Sequence, residues 1–145
     1  MIEINEISNS HVVNDDKMIQ MLEAMTVDGM SVDVSLRYLE KGVVIYGLYV
    51  KGSIMGYLSV DQCDIPGYVE AHLYIYPESR RYSVKALKAV TDFLHNLGHR
   101  IQTSVLGNFP HVLKLLKANG YSITEVDDSA FTKNGIPYPV FHLSN

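Results

Sequence analysis

The stretch Tyr68–Leu87, YVEAHLYIYPESRRYSVKAL, holds the residue types best suited to chemistry. Its first nine residues alternate as a strand does. Val69, Ala71, Leu73 and Ile75 fall on one face, and Tyr68, Glu70, His72, Tyr74 and Tyr76 on the other. Glu70 and His72 are two residues apart, so their side chains stand side by side. A carboxylate beside an imidazole, among tyrosine rings, can tune a general base toward neutral pH. The competing reading is an ordinary polar sheet face with one Glu–His contact, covered by tyrosines.

The strand runs straight into a helix. Amides around Arg80–Val84 would form its first turn, where free N–H groups and the helix dipole favour a phosphate. Arg80, Arg81, Lys85 and Lys88 add full positive charges there. Cations at a helix N-terminus oppose the dipole unless an anion sits among them, which makes the corner a candidate anion site. Against it stands a solvated helix start, with Lys88 paired to Asp92 one turn on.

Other chemistries find little support. There is no Gly-x-Ser-x-Gly elbow and no Gly-x-x-x-x-Gly-Lys loop. His95 and His99 share a helix end without an acidic partner at ligand spacing, so no metal is expected. Cys63 is the only cysteine, which excludes an intrachain disulfide and a cysteine-based metal site. A formal charge of −4 gives no reason to expect a nucleic acid partner. Hydrophobic residues at 47% and charged residues at 19% are the balance of a globular chain. The apolar run Val43–Val50 is too short to cross a bilayer. The start MIEINEISNS has acids where a secretory signal is basic and then apolar, so the cytoplasm is the expected location.

The elements that must position the site can be read from periodicity and punctuation. Ile2–Ser8 alternates as a first strand. Apolar residues Met18, Ile19, Met21, Leu22 and Met25 recur at helical spacing after the acidic start Asp15-Asp16, and VDVSLRYLEKG makes a second helix closed by Gly42. Met18, Met21 and Met25, with Met30 beyond, suit core or lid packing. VVIYGLYV and Ile54–Val60 flank Lys51-Gly52-Ser53, a hairpin signal. After the Tyr68–Tyr76 strand comes an amphipathic helix over Val84–Gly98, then the strand RIQTSVLG. Asn108 can cap the next helix, with Pro110 in its first turn and Gly120 at its end. SITEVDDSAFTK and IPYPVFHL form a hairpin about Asn134-Gly135. Pro137 and Pro139 remove donors from one edge of the last strand, so that edge faces solvent or pairing begins only near Val140. The order β-α-α-β-β-β-α-β-α-β-β describes an α+β chain with one mixed sheet.

This order, the Pro-x-x-Arg corner and the block LGNFPHVLKLLKANGYSI together resemble the GNAT superfamily of acyl-CoA-dependent N-acyltransferases. In that family a strand ends before an Arg/Gln-x-x-Gly-x-Gly/Ala turn that holds the coenzyme A pyrophosphate; the matching residues are Arg80, Arg81, Tyr82, Ser83, Val84 and Lys85. Asn108, Gly120 and Tyr121 match the second block. The resemblance implies a single domain over 1–145: a three-layer, mostly antiparallel mixed sheet of six to seven strands with about four helices. It also implies that the fourth and fifth strands splay and that the pantetheine arm lies between them, on backbone at Leu73, Tyr74, Ile75 and Tyr76. Asn108 would lie near that arm.

The activity implied is transfer of an acyl group from acetyl-CoA, or another acyl-CoA, to an amine of a small molecule or a protein. Glu70 or His72, directly or through a water, would take the proton, with no metal and no covalent intermediate. A homodimer is left open. Ser83 and Lys85 replace the two glycines of the phosphate turn, and Leu115 stands where many relatives carry a thiolate-protonating tyrosine. In this respect the chain resembles phage-encoded members with similarly altered turns. The alternative implied is a non-catalytic binding or structural module on the same fold. Met25–Asp33 and Val126–Pro139, which would shape the acceptor site, carry no motif.

Overall fold

The computed structural model describes residues 1–145. Its strands are β1 (Ile2–Ile7), β2 (Val44–Val50), β3 (Ser53–Gln62), β4 (Tyr68–Ile75), β5 (Arg100–Leu106), β6 (Ser122–Lys133) and β7 (Ile136–Ser144). They form one seven-stranded sheet in the order β1-β2-β3-β4-β5-β7-β6. Helices are α1 (Asn9–Val13), α2 (Asp16–Met25), α3 (Val32–Lys41), α4 (Ser83–Asn96) and α5 (Pro110–Ala118), and a 3₁₀ segment, Pro77–Tyr82, leads into α4. Five helices stand where the sequence reading expects about four. The unforeseen one, α1, has only five residues, too few to show a period; Ser8 caps it by accepting the His11 N–H.

Alternation along β4 resolves as the sequence implies. Val69 and Ala71 sit in a core with Ala86, Leu87, Val90 and Leu94 of α4, and Leu73 and Ile75 pack against it. On the opposite face a second cluster joins Val12, Met18, Leu22 and Leu39 of α1–α3 to Ile45, Tyr57 and Tyr76 of the sheet. No residue of β5, β6 or β7 belongs to that second cluster. The α1–α3 layer therefore packs on one half of its face and leaves the other half polar.

Every strand pair is antiparallel except β4–β5. The Lys51-Gly52 and Asn134-Gly135 turns both take positive φ at two successive residues, the geometry that matches strand twist in two-residue hairpins. The two prolines of β7 find their explanation in its neighbours. β7 pairs with β6 from Ile136 onward but with β5 only from Val140, so Pro137 and Pro139 lie before the β5 ladder begins. No helix is long and apolar enough to cross a membrane.

One polar knot ties α2 to the sheet. The Asp15 carboxylate caps α2 by accepting the Lys17 N–H at 3.0 Å, and it also accepts the hydroxyls of Tyr57 (2.5 Å) and Tyr76. The two hydroxyl oxygens are themselves 3.1 Å apart. Burial acts to raise the Asp15 carboxyl, and the hydrogen bonds from both tyrosines and the backbone outweigh it, so the group is held below its ordinary value.

Candidate active site

The parallel β4–β5 ladder lasts three residues, Tyr68↔Arg100, Val69↔Ile101 and Glu70↔Gln102. Beyond it β4 continues against β3 as far as Ile75, while β5 continues against β7. The two strands thus part into a wedge that opens toward their C-terminal ends. Leu73, Tyr74 and Ile75 form its β4 wall. Tyr76 does not join them as expected. Its N–H donates to Met55 O at 2.9 Å and its ring is 3% exposed in the second core, held there by Asp15 and Tyr57. Burial pushes the Tyr74 hydroxyl up to about 12, so it stays protonated.

Asn108 follows β5 at the open end of the wedge. It was expected to cap α5, but Phe109 holds the cap position without a side-chain bond, because Pro110 takes the first helical position. The Asn108 Oδ1 is buried and has no hydrogen-bond partner. Only one other buried side-chain atom shares that condition, Ser59 Oγ. Buried polar atoms are normally paired, and Ser59 has the Tyr74 hydroxyl beside it, so the unmet atom at the wedge is Asn108 Oδ1.

At the corner the chain departs from the simple loop-to-helix turn the sequence suggests. The 3₁₀ segment Pro77–Tyr82 joins α4 directly, and the Ser83 N–H already donates to Arg80 O. Arg80, Arg81, Val84 and Lys85 are exposed. The Arg81 guanidinium lies 4.8 Å over the Tyr82 ring and donates to its hydroxyl at 3.3 Å. That bond lowers the Tyr82 phenol, and the charges of Arg81, Lys51 and Lys85 act in the same direction. Lys51 was not anticipated. It comes from the β2–β3 turn, which lies beyond the C-terminal end of β4 because Gly56 pairs with Ile75. The Lys88–Asp92 pair is not among the ion pairs formed.

Glu70 and His72 do meet. Their Oε2 and Nε2 are 3.9 Å apart, on the polar half of the face, with side chains 41% and 25% exposed. The His72 imidazole holds the Glu70 carboxyl below its ordinary value, against burial, and His142 adds to the effect. Of the two residues expected to supply a base, Glu70 is therefore not the one shifted toward neutrality. Glu70 is held as an anion beside the imidazole. Across β3, Ser59 is opposite His72 and Asp61 opposite Glu70. Tyr38 of α3 donates to Asp61 Oδ2 at 2.8 Å, and Cys63 Sγ donates to Gln102 Oε1 at 2.9 Å.

A latch links the two segments flanking this face. Asp28, in the α2–α3 loop, accepts the N–H groups of Asn134 (3.1 Å) and Gly135 (2.9 Å) and the Thr132 hydroxyl (2.9 Å), all at the β6–β7 tip. Its own N–H donates to Thr132 O at 2.9 Å, and Lys133 Nζ donates to Thr26 O. Those bonds, the Gly135 N–H first, hold the Asp28 carboxyl below its ordinary value. A shallow hollow of about 760 Å³ lies elsewhere, lined by Ser8, His11, Asp15, Lys17, Ile54 and Tyr76 among others. It is wide open and contains neither Glu70 nor His72, so it does not compete with the wedge as the chemical site.

No protein-family model matches the sequence, and no curated protein matches it either. Solved structures do match. A protein assigned as a phosphinothricin N-acetyltransferase aligns with a TM-score of 0.77 and 14% identity, over 100% of this chain and 98% of that one. An IAA acetyltransferase from Bacillus cereus aligns at 0.71 and 15% identity, over 99% and 98% of the two chains. Spermidine N-acetyltransferase from Vibrio cholerae, solved with CoA and spermine, aligns at 0.72 and 14%, over 99% and 94%. The fold is GNAT-like. The identity is too low to carry activity or residue roles across.

Proposed function

We propose that this chain is an acyl-CoA-dependent N-acyltransferase, probed best with acetyl-CoA. The observation that supports it most is the wedge between β4 and β5, at whose open end Asn108 Oδ1 is buried without a partner. An extended, amide-bearing arm has the donors that such an atom lacks, and β4 past Glu70 offers backbone with no β5 partner. Asn108, Leu73, Tyr74 and Ile75 would hold that arm. Arg80, Arg81, Lys85 and Lys51 would supply charge for its phosphates, with Tyr82, Ser83 and Val84 completing the corner. When bound, acyl-CoA supplies the activated thioester.

The remaining work falls to the chain's own residues. His72 takes the proton from the acceptor amine, with the Glu70 carboxylate 3.9 Å from its Nε2. Unpaired β4 backbone N–H groups are the donors available to the acyl carbonyl oxygen. Tyr74, kept protonated by burial, is an acid on the same strand; Leu115, packed against the main core, is not. The whole of 1–145 acts as one domain in this reading. Its lone thiol, Cys63, suits a reducing compartment such as the cytoplasm.

One observation favours a non-catalytic module. Lys85 stands where a glycine would let phosphate approach the backbone, and the Ser83 N–H is already bonded to Arg80 O. A thermal-shift titration with acetyl-CoA separates the readings. A hundredfold excess over Kd stabilises the fold by about 2.7 kcal/mol and raises the midpoint accordingly. No shift at millimolar acetyl-CoA overturns the transferase proposal.

A further inference from the structure

Several tyrosines crowd the middle of β3 and β4, and most of their hydroxyls are committed. Tyr57 and Tyr76 donate to Asp15, and Tyr38 of α3 donates to Asp61 at 2.8 Å. A phenol whose proton already serves a carboxylate is a poor acid for anything else. Tyr74 makes no such bond. Glu70 acts with burial to raise its phenol, and Tyr74 in turn acts on Tyr38. Its hydroxyl therefore lies toward the polar half of the face, near Glu70 of its own strand and Tyr38 of α3, although its ring packs against the second core.

The β3–β4 register brings one more group to this oxygen. Tyr74 is opposite Tyr57 and His72 is opposite Ser59, so Ser59 is a diagonal neighbour of Tyr74 on one face, within reach of a long aromatic side chain. Ser59 is 1% exposed, and its Oγ completes no hydrogen bond in the structure. The two hydroxyls are nonetheless close enough for Ser59 to oppose the effect of burial on the Tyr74 phenol. A tyrosine acid has a difficulty of its own. Once its proton is given up, a phenolate remains, and burial works against that charge. A donor already standing beside the oxygen relieves it, and the one O–H of Ser59 is engaged nowhere else.

We propose that Ser59 is a positioning residue for Tyr74, its O–H donated to the phenolate left when Tyr74 protonates the thiolate departing from an acyl-CoA. As the carbon–sulfur bond breaks, its electron pair goes to sulfur. The Tyr74 proton goes to the same sulfur and forms the thiol, and the O–H electron pair stays on the phenolate. Through solvent, the phenolate regains a proton equal to the one His72 took from the amine, so both residues return to their starting forms. The thiolate step rests on the transferase reading; the pairing of Ser59 with Tyr74 does not. The test places 3,5-difluorotyrosine at position 74 of the full chain, so that fluorine NMR follows this one phenol at a pH the fold tolerates. Ser59→Ala raises its titration midpoint by about one pH unit, and Ser59→Thr, which restores a hydroxyl, brings it back. An unchanged midpoint in Ser59→Ala overturns the pairing. If Ser59→Thr is too large to fold, Ser59→Ala against the wild type decides alone. CoA gives a second readout that needs no acceptor. It moves the fluorine signal, and desulfo-CoA, which lacks the sulfur, moves it less. Equal shifts, or none, while thermal shift shows both compounds bound overturn the acid role. No binding of CoA in that thermal shift removes the transferase reading and the acid role with it, and the titration still decides the pairing.

Discussion

Replacing Asp15 with alanine removes three interactions through one carboxylate, and their sizes can be worked from the structure. The α2 cap contributes about 1 kcal/mol, the usual cost of losing an aspartate at that position. The hydroxyls of Tyr57 and Tyr76 are a different matter, because their residues are 1% and 3% exposed and water does not easily replace the lost acceptor. Once the carboxylate is gone the Tyr76 hydroxyl can turn to the Tyr57 oxygen, 3.1 Å away, so one hydroxyl, that of Tyr57, is left without an acceptor. A buried donor stranded in this way costs about 1–3 kcal/mol. Asp15→Ala is therefore expected to destabilise the chain by about 2–4 kcal/mol, or about 6–12 °C in Tm for a domain of this size.

Urea unfolding measures this as a fall in midpoint at unchanged slope. The decisive comparison repeats Asp15→Ala in a Tyr57→Phe/Tyr76→Phe background, where only the cap remains to be lost and the cost drops to about 1 kcal/mol. Equal costs in both backgrounds would refute the stranded-hydroxyl argument, and a cost near zero in both would refute the knot itself. The pH dependence carries a defined sign. Asp15 is held below its ordinary value, so its contribution is complete above the unfolded carboxylate range and is lost as pH falls through the folded value. Below about pH 4 the wild type should lose stability more steeply than Asp15→Ala.

Three further outcomes are expected. His72→Ala lowers turnover by about 10²–10⁴ with acetyl-CoA affinity kept, and Glu70→Gln lowers it less; initial rates from thiol release, alongside thermal shift, check both, and unchanged rates in both variants remove the pair from the chemistry. Lys85→Ala weakens acetyl-CoA binding about tenfold and flattens its salt dependence, whereas tighter binding by Lys85→Gly would show that the side chain obstructs the site. Asp28→Ala speeds hydrogen exchange at the Asn134 and Gly135 amides and raises KM for the acceptor amine while sparing acetyl-CoA affinity; wild-type exchange there should rise as pH falls through the lowered Asp28 value, after correction for intrinsic rates.

What was legible in the sequence was local in its causes. Alternation along Tyr68–Tyr76 fixes which residues share a face, and that division holds. Asn134-Gly135 specifies its own turn, because it supplies two successive residues that tolerate positive φ. The misses were of two kinds. Asn108 suggests a helix cap, yet Pro110 at the first helical position assigns the cap to Phe109, a signal the sequence itself carries. The others depend on contacts far apart in the chain. Asp15 meets Tyr76 across 61 positions and Asp28 meets Gly135 across 107, and nothing in either neighbourhood announces its partner. Lys51 joins Arg81 and Lys85 only through the β3–β4 register. The lowered Glu70 carboxyl is of the same kind, since burial and His142 enter alongside the adjacent His72.

The features that weaken this fold are not scattered. Asn108 Oδ1 and Ser59 Oγ, the two buried side-chain atoms without partners, lie at the end of β5 and beside His72, at opposite sides of the β4 segment that parts from β5. The opposed acids Asp61 and Glu70 stand just before that segment, where the β4–β5 ladder ends, and the basic cluster of Lys51, Arg81 and Lys85 gathers where β4 ends. A chain optimised only to fold would fill the buried positions with apolar side chains and place opposite charges across the strands. Here the unmet donors and acceptors and the uncompensated charges converge on one strand, while the Asp15 knot secures the elements packed over it. Local rules tend to fail together where a ligand completes the structure. On β4 those failures have opposite electrostatic signs at its two ends. The basic end suits the phosphates of the proposed acyl donor, and the unpaired strand backbone beside it is where its extended arm would lie.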